Sequence, residues 1–291
     1  MKISIVTPNL NCGKYLFETL ESVINQGYES VEHIVLDGGS ADGSIEILKE
    51  WTRTMGGSID HANDKQDAEI GGQAASADGR YTFRWISEKD KGQTDAINKG
   101  FRMASGDIRT WLNADEFYYP GALQAVADFF AKKPETGLLY GQALFTREDG
   151  SPIRVRPTHA PDRNVFIYYG CYIISVAAFY NGRIFDDGVF LDDSYRVTMD
   201  FEFYARLWQL GYPVEYIPRA LGAFRMTGDN VSVKLEERRK AERLQVQQQY
   251  GSRFPWGTPL PKPVLAMLRQ VFRLKSGWMR LSGMKPPAEE C

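Results

Sequence analysis

Cysteine is scarce: the chain carries only Cys12, Cys171 and Cys291, an odd number without paired spacing. That excludes a disulfide framework and a cysteine zinc site, and it fits a reducing compartment. Histidine is as rare, and His33, His61 and His159 read as packed or surface residues rather than ligands. Long apolar runs are missing too. The longest uncharged stretch, Val165 to Tyr180, is shorter than the roughly 20 residues a bilayer-spanning helix needs, and it contains Gly170 and Ser175, so it reads as buried strands. Excess charge is absent, with a net charge of -2, which gives no reason to expect a nucleic-acid partner. Met1 and Lys2 run directly into Ile3-Ser4-Ile5-Val6 without an apolar leader, the pattern of an uncleaved cytoplasmic chain. Finally, Pro8-Asn9-Leu10-Asn11 follows the first apolar segment where a dinucleotide oxidoreductase or a P-loop enzyme would carry glycines.

What remains is an ordinary globular composition, 43% hydrophobic and 25% charged over 291 residues, ample for a large core. Apolar periodicity predicts a strand over Ile3 to Thr7, a helix over Lys14 to Asn25, a strand over Val31 to Leu36 and a helix from Ser44 to Trp51. The same rhythm returns as a strand over Tyr81 to Ile86, a helix over Thr94 to Ala104, a strand over Ile108 to Leu112 and a helix over Gly121 to Lys132. Strand-like stretches at Gly137 to Thr146 and Phe166 to Ser175 precede a helix near Asp200 to Leu210. Alternation of this kind predicts an α/β fold with a mostly parallel, Rossmann-like sheet flanked by helices, and ligands at the carboxyl ends of the strands. Residues 52–80 interrupt the rhythm and read as a surface insertion or a lid. The expected division is a domain over 1–230 and a helical, basic extension over 231–291.

Three segments carry chemistry in their residue types. Trp111-Leu112-Asn113-Ala114-Asp115-Glu116 runs from an apolar strand into oxygen donors that suit Mg²⁺ or Mn²⁺, although such residues also solvate turns or cap helices. In Thr198-Met199-Asp200-Phe201, Asp200 stands at a helix start. There it caps the helix, or it serves as a base whose carboxylate the helix keeps ionised. Arg225 reads either as a diphosphate ligand or as a structural ion pair.

Four co-linear motifs together resemble family 2 glycosyltransferases of the GT-A fold over about residues 1 to 228. They are Ile3 to Asn9, Asp37-Gly38-Gly39-Ser40-Ala41-Asp42-Gly43-Ser44, Ile86 to Gly100 and the Asn113 segment. The resemblance implies that Thr7, Asn9 and Asp37 contact the nucleoside and that Asp90, Lys91 and Asp95 add donor contacts. It places Asp115 as the metal ligand in the Asp-x-Asp position, with Asn113 in place of the first aspartate, and it makes Asp200 the catalytic base; Phe185-Asp186-Asp187 also resembles the family. A histidine that many relatives carry near Thr227 is absent. The implied activity is inverting transfer of a sugar, of hexosyltransferase type, from a nucleotide-diphosphate-sugar donor to a saccharide or lipid-linked acceptor, in cell-surface polysaccharide or glycolipid synthesis.

Two other readings compete. A sugar-phosphate nucleotidyltransferase would want a basic glycine-rich loop after the first strand. A degenerate member would bind a nucleotide sugar without turnover. The tail from Lys262 to Lys285 has six basic residues and no acid, with Leu265, Leu268, Val271, Phe272 and Trp278 as an apolar side. It predicts peripheral contact with the inner face of a membrane, or a helix packed on protein.

Overall fold

The computed structural model describes residues 1–61, 70–156, 158–228, 235–252 and 260–283. Its centre is four parallel strands: β1 (Ile3–Asn9), β2 (Val31–Asp37), β5 (Tyr81–Ser87) and β6 (Ile108–Trp111), in the order β5-β2-β1-β6. Every residue of β1 is buried, because a central parallel strand is covered on both faces. Helix α1 (Gly13–Ile24) buries Leu16, Leu20 and Val23 on one stripe; α2 (Ser44–Thr54) buries Leu48 and Thr52. Helix α3 (Gln93–Met103) returns the chain from β5 to β6 and covers the opposite face. The strand order reverses at β1, which lies between β2 and β6, so the carboxyl ends of β1 and β6 flank a topological switch point.

Strands in mixed pairing extend both margins. β10 (Ala178–Asn181) pairs with β6 and with β8 (Leu138–Thr146); beyond β8 come β11 (Val214–Arg225) and β7 (Phe117–Tyr118), and β9 (Pro152–Arg156) also pairs with β8. These pairings are antiparallel except that β11 runs parallel to β8. On the far edge, β3 (Ser58–His61) and β4 (Ile70–Ala75) form a hairpin beside β5. This hairpin corrects the reading of 52–80 as an irregular insertion. Its glycines hid it: a Cβ on Gly72 would lie 2.6 Å from the Trp85 indole nitrogen, so the strand must be nearly side-chain-free where it crosses that ring. The middle of the expected insertion or lid, 62–69, lies outside the described residues.

The run from Val165 to Tyr180 is a second correction. Val165–Tyr169 is a single π-helical turn and Ser175–Ala177 a 3₁₀ turn, with only β10 as strand. Both turns are almost wholly buried, so apolarity alone could not separate them from a strand.

Helix α4 (Ala122–Lys132) joins α1 and α2 on one face; α5 (Arg183–Asp186) and α6 (Met199–Gln209) join α3 on the other. Helices α7 (Glu236–Tyr250) and α8 (Lys262–Gly283) complete this second core. Val246, Tyr250 and Leu265 are buried in the same cluster as Phe166, Phe201 and Tyr204. The segment 253–259, within the expected helical extension over 231–291, is outside the described residues.

Candidate active site

A cleft of about 1560 Å³ opens at the switch point, with Asn9, Asp90, Asn113, Asp115 and Asp200 among its walls. β1 delivers Asn9, β6 delivers the Asn113 to Glu116 segment, and α6 delivers Asp200.

At the β1 end, Asn9 donates to Asp37 Oδ1 at 2.6 Å and to Ser40 Oγ at 3.2 Å, while its own Oδ1 is buried without a partner. Asp37 also accepts from the Ser40 hydroxyl (2.5 Å), the Ser87 hydroxyl (2.6 Å) and the backbone N–H groups of Gly39 and Ser40. Both oxygens are thus saturated by Asn9, Ser87 and the loop that follows Asp37. Asp37 is 2% exposed and does not line the cleft. Thr7 is also absent from the cleft; fully buried, it bonds the His33 ring nitrogen at 2.9 Å. Of the three residues expected at the nucleoside, the structure brings Asn9 alone to the wall.

Asp90, Lys91 and Asp95 do line the cleft. Asp90 Oδ1 accepts from Gly92 N at 2.8 Å and Asp95 Oδ2 from Lys91 N at 3.1 Å, which shapes the turn before α3 and leaves the Lys91 side chain exposed. Gln93, to which sequence reasoning assigned no role, donates to Asn113 Oδ1 at 2.7 Å and fixes that amide.

Asp115 and Glu116 form the acidic heart. Burial pushes the Asp115 carboxyl up, against a lowering by Arg225. Glu116 is 1% exposed, and burial, then Asp115 and more weakly Asp200, push its carboxyl well up. Its Oε2 accepts from Asn113 N at 3.3 Å, whereas Oε1 is buried without a partner. Two crowded carboxyls with an orphaned oxygen are the surroundings a hard divalent cation relieves, so these residues fit Mg²⁺ or Mn²⁺. Among the described residues no three acidic, histidine or cysteine side chains converge as a full ligand set. Glu116 was legible only as part of the motif, since burial is a tertiary property.

Arg225 resolves as structural. Only 2% exposed, it donates to the Asp115 carbonyl at 3.0 Å and to the Glu148 carbonyl at 2.5 Å, pairs with Glu18, and stacks on Tyr15 and Phe117. It props up the loop behind Asp115.

Asp200 is the second residue of α6, and Thr198 is the N-cap. Its Oδ1 accepts from Phe201 N at 2.7 Å, yet burial outweighs this and pushes the carboxyl up to about 6. The expectation that a cap position keeps it strongly ionised is therefore corrected: desolvation exceeds the helix-end effect. The cap is supplied from α7, where Glu242 accepts backbone N–H bonds from Arg196, Val197 and Thr198 at 2.9 to 3.0 Å. Asp186 pairs with Arg109, and Asp187 accepts from Tyr212, so both serve packing. Among the histidines, His33 and His159 are packed, as expected, and the His61 side chain lies outside the description.

Comparison with known proteins agrees with this architecture. The chain is 25% identical to chondroitin synthase of Escherichia coli over 84% of its own length and 32% of that protein. It is 26% identical to a PGL/p-HBAD biosynthesis glycosyltransferase of Mycobacterium bovis over 70% of its length and 68% of the relative. A match to an uncharacterised glycosyltransferase of a Nostoc species, 26% identical, covers 48% of this chain and 36% of the other, so the chain spans about a third of the cyanobacterial and chondroitin relatives. Among solved structures, S. aureus TarS with UDP-GlcNAc superposes with a TM-score of 0.61 over 94% of this chain and 72% of that one, at 14% identity. A Pyrobaculum calidifontis mannosyltransferase with GDP-Man and Mn²⁺ gives 0.59 over 98% and 76%, at 16% identity. These likenesses establish the GT-A fold. The family model described as glycosyl transferase family 2 matches residues 4–182, the stretch that builds β1 to β10, and the chain belongs to that family.

Proposed function

We propose that this protein transfers a sugar from a nucleotide-diphosphate donor to an acceptor hydroxyl with inversion. The observation that carries the reading is that Asp115 and Asp200, from separate elements, line one cleft at the switch point. Asn9, Asp90, Lys91 and Asp95 would hold the donor beside Asn113. Asp37 and Thr7 support that wall from behind. A Mg²⁺ or Mn²⁺ ion, held by Asp115 with Glu116 beside it, would supply positive charge to the departing diphosphate. Asp200 takes the proton of the acceptor hydroxyl as its oxygen bonds to the anomeric carbon; the bond from that carbon to the diphosphate breaks, and its electron pair leaves with the phosphate oxygen. No protein nucleophile takes part. The Cys12 and Cys171 thiols near the two carboxyls are both raised by burial and so stay protonated.

The same reading includes peripheral membrane contact. The apolar side of α8 is split: Leu265, Leu268 and Phe272 pack inward, while Met267, Val271, Leu274, Trp278 and Leu281 are 53% to 75% exposed along one outer stripe. A single outward apolar stripe on a helix without acidic residues matches an anionic lipid surface. Among the described residues no helix is long and apolar enough to cross a membrane.

The direct test incubates purified protein with UDP- and GDP-sugars and Mn²⁺ and measures release of nucleoside diphosphate. Release from one donor supports the reading. Tight donor binding without release from any of them favours the binding-only alternative.

A further inference from the structure

Beyond Asp200 the cleft is walled by Arg156 of β9, Arg243 of α7, and Arg269 and Arg280 of α8. Among the described residues none of the four forms an ion pair. Their hydrogen bonds go to neutral oxygens: Arg156 to the Cys171 carbonyl at 3.0 Å, Arg243 to the carbonyls of Tyr168 and Tyr169, and Arg280 to the Ser276 hydroxyl at 3.1 Å. Arg280 Nε is buried without a partner. Gly170, at φ 147°, makes the arrangement possible, since a Cβ there would lie 3.0 Å from the Arg243 guanidinium. The like charges are crowded: burial and then Arg269 push Arg243 down to about 10, and Arg280 adds to the burial that lowers Arg156.

Guanidiniums gathered without ion-pair partners form a site for an anion with several acceptor oxygens. Its position separates it from the donor diphosphate. Arg156 and Arg243 are anchored on the carbonyls of Cys171, Tyr168 and Tyr169, a segment that packs on α6 through Phe166 and Phe201, whereas the loop carrying Asp115 is held by Arg225. The anion therefore belongs to the acceptor. Arg243 and Arg269 also line a groove of about 370 Å³ between α7 and α8, floored by Leu244, Leu265 and Ala266 and rimmed by Lys262 and by Lys240, which is paired with Glu236 and Glu237. An apolar floor with a basic rim thus leads out of the cleft from the arginines.

We infer that the acceptor is a lipid-linked saccharide: its reacting hydroxyl lies at Asp200, its phosphate or diphosphate among Arg156, Arg243, Arg269 and Arg280, and the start of its apolar chain in the groove. This rests on the transferase reading above and names the acceptor class for it.

The test is calorimetric titration of the full chain with octyl diphosphate, inorganic pyrophosphate and octyl glucoside. A chelator is present so that no cation recruits diphosphate to Asp115. Octyl diphosphate is expected to bind more tightly than either control. Arg269→Glu, which alters an exposed side chain, should weaken it roughly tenfold or more, the scale of a lost charge-assisted contact. Arg243→Gln should do the same if its melting temperature shows that it folds. Equal binding of pyrophosphate would mean a free-anion site with no place for a chain, and would overturn the inference. Equal binding of octyl glucoside, or indifference to Arg269→Glu, would overturn it as well. Nucleoside diphosphate with Mn²⁺ is titrated in parallel. If it binds and octyl diphosphate does not, only the acceptor inference falls; if neither binds, the transferase reading falls and takes the inference with it.

Discussion

Glu242 on α7 receives both the backbone N–H and the hydroxyl of Thr198, at 3.0 and 3.2 Å, and so caps the helix that carries Asp200. Burial alone would raise the Glu242 carboxyl, but Arg238 and three backbone N–H groups together hold it below the usual range. The basic C-terminal region thereby positions a carboxylate of the cleft although it contributes no reacting group.

Glu242→Ala should therefore cost about 1–3 kcal/mol, because it strands the buried Thr198 N–H and two part-buried N–H groups just before α6. Turnover should fall more than donor affinity, since Asp200 moves and the β1 end does not. A Glu with a depressed folded-state pKa stabilises the fold above its unfolded pKa and loses that contribution as pH falls through the folded value. Wild type should accordingly lose more stability than Glu242→Ala on acidification below about pH 4.3. Denaturant melts at pH 7 and pH 3 check this; identical acid sensitivity would show the cap to be unimportant.

Asp200→Asn keeps the shape and removes the proton acceptor, so turnover should drop roughly 10²-fold or more with donor binding intact. Because the Asp200 carboxyl is raised to about 6, wild-type kcat/KM should rise with pH through that value and then level. A raised acid binds its proton more tightly when folded, so ionising it above about 6 opposes folding. Asp200→Asn should thus gain thermal stability at pH 8 relative to wild type, and gain less at pH 4. Turnover within a few-fold of wild type would leave Asp200 without a catalytic role.

Removal of Asp115 should uncouple cation from donor. In Asp115→Ala the melting temperature with nucleoside diphosphate should no longer rise further on adding Mn²⁺, whereas wild type gains stability by mass action. Relief of like-charge crowding at Glu116 should leave the apo variant at least as stable as wild type. A variant that keeps both its Mn²⁺ response and its turnover would place the cation elsewhere.

Leu274→Glu and Trp278→Glu alter side chains 73% and 68% exposed, so they should not disturb folding. They should abolish sedimentation with anionic vesicles, and wild-type binding should weaken as salt rises. Truncation before α8 is a poor test, because Leu265 lies in the core shared with Tyr168 and Phe201. Persistent vesicle binding by the double variant would assign the stripe another role.

Much of the architecture was legible from order and period alone. Ile3 to Asn9 and Val31 to Asp37 read as buried strands because a central parallel strand has no solvent face to vary. The ends of those strands located the cleft, as strand polarity places ligands there. Periodicity failed where burial came from all sides, at Val165 to Tyr169, and where side chains were too small to show a pattern, at Gly71 and Gly72. The family resemblance also placed Thr7, Asn9 and Asp37 as equals at the nucleoside. Only the folded chain shows that Asn9 lines the cleft, while Thr7 bonds His33 and Asp37 spends both oxygens on Asn9, Ser87 and its own loop. The protonation of Asp200 was decided by tertiary structure too, because desolvation depends on what packs around a carboxyl and not on its place in a helix. So was the arginine cluster. Arg156, Arg243, Arg269 and Arg280 are scattered over more than a hundred residues of sequence, and the packing of α7 and α8 against the π-helical turn is what gathers their charges at one end of the cleft.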